Sequence, residues 1–107
     1  MAKPTNFPNG IASMGNFIFG PKISKVTLSP AQVAANTTAE QIFPVTGVLA
    51  TDYVAQINKP TAQAGLGIVG ARVSSAGNIG ITFLNATATP ITPTASQQYI
   101  IVTMATQ

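Results

Sequence analysis

From residue 23 onward, apolar and polar positions alternate in short runs broken by Gly, Pro, Asn and Thr. That period-two pattern is the signature of strands with one face turned to a core. It is clearest over residues 78–84, where Ile79, Ile81 and Phe83 fall on one face. Five further strands are predicted. The first comprises Ile23 and residues 25–28 and ends at Ser29-Pro30, where proline removes a ladder donor. Residues 41–46 follow, closed by Gly47, with Pro44 demanding an edge position or a bulge. Then come residues 52–58, stopped by Lys59-Pro60, residues 66–73, and residues 98–104, which are rich in β-branched side chains. One short helical turn is predicted over 30–35, with Ser29 as its cap and Pro30 at its first position. Six strands at this spacing predict an all-β fold: a small antiparallel β-sandwich, jelly-roll-like or Greek key.

Some strands are apolar on both faces. In 98–104, Tyr99, Ile101 and Thr103 alternate with Ile100, Val102 and Met104. One face meets the domain's core; the other requires a second sheet, an arm or another subunit. Residues 1–22 break the pattern. They carry Gly and Pro too often for a helix, yet Phe7, Ile11, Met14, Phe17, Ile18 and Phe19 are too apolar for a solvated tail. The division drawn is an extended N-terminal arm, 1–22, and a β-sandwich domain, 23–107, with Phe7, Ile11, Phe17, Ile18 and Phe19 as expected contacts to a partner or a second copy.

Composition narrows the chemistry. The chain has 107 residues, 46% of them hydrophobic and 7% charged, with no Cys and no His; an ordinary soluble domain is roughly 25% charged. Glu40 and Asp52 are its two carboxylates. Acid–base, thiol and metal chemistry draw on the residue types missing here, so a structural or binding role is expected, with no enzyme activity, cofactor or metal. A chain this small, with no disulfide available, is expected to gain stability by oligomerising. No membrane span is expected, because spanning needs roughly 20 consecutive apolar residues. Nor is a secretory leader, since Pro4, Thr5 and Asn6 follow Lys3 where an apolar stretch would begin. The net charge of +3 comes from Lys3, Lys22, Lys25, Lys59 and Arg72, scattered without a cluster, so nucleic acid is not an expected partner.

Three motifs invite a functional reading. Residues 65–70, GLGIVG, match the dinucleotide fingerprint by letter, but the chain turns again by 77 and no acid follows Asp52 to hold a ribose. Glycines serving strand twist or close approach explain them better. The glycosylation sequons at Asn36 and Asn85 read as loop markers. Arg72, the one charge in an apolar strand, is expected to pair with Asp52 or Glu40 at a subunit boundary, where arginine is enriched.

The segments VTLSPAQVAANTTAEQ (26–41), NKPTAQAGLGIVGARV (58–73), ITFLNAT (81–87) and PITP (90–93) are similar to a β-domain of tailed bacteriophages. The resemblance spans residues 24–107 and includes small capsid decoration (cement) proteins and the tips of tail fibres and tailspikes. It implies a homotrimer of β-sandwich subunits on the outer capsid, bound to the major capsid protein and stabilising its contacts. The alternative it allows is a host-receptor or glycan-binding module of a tail protein, served by polar loop residues such as Asn85, Thr87 and Thr89.

Overall fold

The computed structural model of the chain describes residues 21–106. Of the arm expected over 1–22, residues 1–20, with Phe7, Ile11, Phe17, Ile18 and Phe19, lie outside the described residues, while Lys22 belongs to the first strand. Six strands follow in order: β1 (Lys22–Leu28), β2 (Thr37–Pro44), β3 (Tyr53–Asn58), β4 (Leu66–Ser75), β5 (Asn78–Asn85) and β6 (Gln97–Met104). They form two three-stranded antiparallel sheets, ordered β1-β6-β3 and β2-β5-β4. Only β4 and β5 are consecutive in chain and adjacent in one sheet; their hairpin turns at Ala76-Gly77, with Gly77 at φ 78°. A positive φ suits glycine, which carries no Cβ to clash there. Every other connection crosses between the sheets. First strand pairs with last and second with fifth, as when a long hairpin is rolled up, so the winding is jelly-roll-like.

The two central strands make the core. Ile79, Ile81 and Phe83 of β5 and Tyr99 and Ile101 of β6 are wholly buried. Their alternation places these side chains on the facing surfaces of the two sheets. Leu28, Val33, Val45 and Val48 close the ends, and Val26, Ala39, Phe43, Val54, Ile57 and Ile68 flank the core half-buried. The edge strands β3 and β4 approach each other across the sandwich, and each carries a register shift there, between Val54 and Gln56 and between Ile68 and Gly70. Such bulges increase twist and turn an edge away from pairing.

Two local expectations change. The strand expected at 41–46 begins four residues earlier, at Thr37, and stops at Pro44, on an edge strand as proline requires. Val45 leaves the ladder and donates its N–H to the Gly77 carbonyl at 2.8 Å. The helical turn expected over 30–35 does not form. Instead Val33 exchanges both backbone hydrogen bonds with Ile91, at 2.8 and 3.0 Å, and the Ser29 hydroxyl accepts from the Ser96 N–H rather than capping a helix. Burying Val33 completely outweighs one isolated turn, which nucleates poorly by itself.

Tyr99 is fully buried, and its hydroxyl has no hydrogen-bond partner. Burial pushes its phenol above the usual tyrosine range. An unpartnered buried hydroxyl carries a desolvation cost. Tyr99→Phe is therefore expected to raise stability by about 1 kcal/mol, whereas Phe83→Ala on the facing strand lowers it by about 3–5 kcal/mol. Urea denaturation of both variants checks the opposite signs.

Candidate functional site

The surface is best built from the outer face of each sheet. On the sheet β2-β5-β4, strand alternation turns Glu40 and Ile42 of β2, Gly80 and Thr82 of β5, and Arg72 of β4 outward. Arg72 grips Glu40 with both arms of its guanidinium, Nε donating to Oε2 at 2.7 Å and Nη2 to Oε1 at 2.9 Å. The two residues sit on strands that are not neighbours, so the pair spans β5. Gly80 makes room for it, since a Cβ at that position would overlap the Glu40 carboxylate. The Arg72 hydrogen bond holds the Glu40 carboxyl below the usual carboxylate range, and the same contact raises the guanidinium. Glu40 is thus the partner of Arg72, and Asp52 is not.

Asp52 serves a different purpose, at the end of the sandwich where β1 begins. Its side chain is fully buried; Oδ2 accepts from the Leu49 N–H at 2.9 Å and from Lys22 Nζ at 2.7 Å. The Asp52 N–H returns a bond to the Leu49 carbonyl at 3.0 Å, so the loop between β2 and β3 is closed on itself and latched to β1. The Leu49 hydrogen bond, then the Lys22 ammonium, lower the Asp52 carboxyl below its ordinary range. Each carboxylate is therefore engaged by a different cation on a different surface. Among the described residues, no group of three His, Cys, Asp or Glu side chains comes together to hold a metal ion.

At the opposite end, the connections 29–36, 59–65 and 86–96 interlock. Asn85, expected on an exposed loop, ends β5 fully buried, and its Nδ2 donates to the carbonyls of Val33 at 3.1 Å and Thr89 at 2.8 Å. Its Oδ1 accepts from the Thr87 N–H and hydroxyl. The side chain is a brace for the loops, not a recognition group, and its burial closes that sequon to glycosylation. Gln63 plays a similar part, accepting from Lys59 Nζ and the Thr94 N–H while donating to the Thr92 carbonyl. In the glycine run, Gly67 and Gly70 lie within β4, which continues as a strand where a dinucleotide site requires a helix.

The outer face of the sheet β1-β6-β3 has another character. Register places Val102 between Ile23 and Gln56, and Tyr53 beside Met104, with Ile100 in the next row between Lys25 and Asn58. Ile23 is 64% and Tyr53 46% exposed. The Tyr53 hydroxyl lies 3.5 Å from the Met104 sulfur. This is an apolar surface whose single charge is Lys25, and it is the strongest candidate for contact with another molecule. The second apolar face of residues 98–104 was legible from sequence; Ile23 and Tyr53 join it only through the register of β1 and β3 on β6.

The Glu40–Arg72 pair can be read by titration, because the chain has only two acidic side chains. Gly80→Ala and Arg72→Ala should each return the Glu40 carboxyl toward about 4.3 in a carbon-13 NMR titration, while leaving Asp52 depressed. Both carboxyls are lowered in the fold, so the stability they contribute is fully present above their unfolded values, about 4. It is lost as pH falls through the lower folded values. Thermal melts should accordingly show a plateau from neutral pH down to about 5 and a decline below about 4. Asp52→Asn should reduce that decline.

Compared with known proteins, no family model, curated protein or solved structure matches this chain.

Proposed function

We propose that this chain is a structural virion protein: a capsid decoration (cement) protein of a tailed phage, trimeric, seated on the outer capsid surface and stabilising contacts between major capsid proteins. The observation that carries the reading is the apolar outer face of β1-β6-β3, presented by a jelly-roll-like sandwich with very little charge. A rigid scaffold with such a face works by burying surface against neighbours, and the mechanism is passive. Each contact adds apolar area removed from water, at about 25 cal/mol per Å², and opposes separation of the capsid subunits it bridges. The placement on a capsid rests on the similarity to phage β-domains read in the sequence of residues 24–107. No nucleic acid, membrane, cofactor or substrate enters this reading.

The alternative, a receptor- or glycan-binding module of a tail protein, loses support from the burial of Asn85, which removes the first of its three polar loop residues from the surface. Aromatic platforms for a sugar are also scarce: the chain has no Trp, and Tyr99 is buried.

Co-sedimentation separates the two. The purified chain is expected to bind capsids that lack it, saturably, and to leave host cells and envelope glycans in the supernatant. Binding to cells or glycans with none to capsids would overturn the capsid reading in favour of the tail module.

A further inference from the structure

We infer that the outer face of the β1-β6-β3 sheet is the seat for residues 1–20 of a neighbouring copy of the chain, so that subunits are joined by exchanged arms. The inference rests on the oligomeric reading above and names the surface and the segment that make the contact.

Three observations carry it. The first is area. The face is only three strands wide, about 4.8 Å apart, and a stable interface takes about 800 Å² of accessible surface from each partner. An arm laid along the sheet adds its own surface, and exchange counts it twice for every subunit, once given and once received. The second is reach. Twenty residues extended span up to about 66 Å, several times the length of a β-strand here, so the segment can leave one subunit and run the length of its neighbour's sheet. The third is chemical match. The segment contains no acid and one cation, Lys3, and it carries Phe7, Ile11, Phe17, Ile18 and Phe19. The face offers Ile23, Tyr53, Ile100, Val102 and Met104, with Lys25 at one side and the uncharged Gln56 and Asn58 at the other. Neither surface leaves a carboxylate stranded in the contact. The other sheet's outer face, by contrast, is crossed by the Glu40–Arg72 pair.

Arm and face are different surfaces, so exchange closes either as a reciprocal pair or, where the rotation between copies closes, as a ring; the trimer of the reading above satisfies every arm and every face.

The test uses the full chain. Phe17 is replaced by the photo-cross-linker p-benzoylphenylalanine, and the irradiated protein is resolved on a denaturing gel and mapped by mass spectrometry. The expected product is a covalent species of two or three chains, with position 17 joined to residues of β1, β3 or β6. In parallel, Ile23→Lys changes a side chain that is 64% exposed, so the fold is retained by circular dichroism. Light scattering should then show a threefold drop in mass, from trimer to single chain. Cross-links confined within one chain, or an oligomer that survives Ile23→Lys without cross-links to this face, would overturn the arm exchange and leave the oligomeric reading standing. An unmodified chain that is monomeric at micromolar concentration would overturn both.

Discussion

The fold depends on one contact: the back-to-back packing of β5 and β6, each the only central strand of its sheet. A three-stranded sheet has two edges and one interior strand, so it can bury completely only the inward side chains of that strand. Ile79, Ile81 and Phe83 meet Tyr99 and Ile101 there, and these are the side chains fully removed from water along the strands' middle. The inward side chains of the flanking strands are half-buried by comparison, apart from Leu28 at the end of β1. The jelly-roll-like winding is what brings the fifth and sixth strands opposite each other, since the connection 86–96 carries the chain from the middle of one sheet to the middle of the other. That connection is long, and it is held by the Val33–Ile91 exchange and by the amide of Asn85. The polar brace and the apolar core are thus two parts of one device.

Much of this was legible in the residues. Alternation located all six strands, because each has inward positions occupied by Ile, Val, Leu or Phe and most are bounded by Gly, Pro or Asn. The start of β2 was not legible, since Thr37, Thr38 and Ala39 offer no large apolar side chain; that stretch is a strand because Thr37 pairs with Asn85 and Ala39 with Phe83. The helical turn at 30–35 failed for a related reason. Its local signals were sound, but Val33 gains more from a partner 58 positions away, Ile91, than a lone turn can return. Asn85 was misplaced because an asparagine before Ala-Thr looks like a loop, and only the three-dimensional arrangement shows the carbonyls that claim its amide.

The candidate surface was half visible. Residues 98–104 announce two apolar faces, but which neighbours enlarge the outer one depends on pairing register, and a shift by one residue would have exchanged Ile23 for Lys22 or Ser24. Arginine 72 shows the same limit from the polar side. Its need for a carboxylate could be read, while the choice between two acids was settled by Gly80, whose missing side chain opens a path across β5.

The two acid–cation pairs have a further consequence for how the fold meets acidity. With no histidine or cysteine in the chain, the side chains that ordinarily titrate near neutrality are missing, and both carboxyls are held below their ordinary range. Both carboxylates therefore stay ionised through the range of acidity met between neutral water and a mildly acidic soil or gut. The hold that each carboxylate has on its cation is then not modulated by protons across that range. The scarcity of acidic groups acts as a form of buffering by omission, insulating the fold from the acidity of its surroundings.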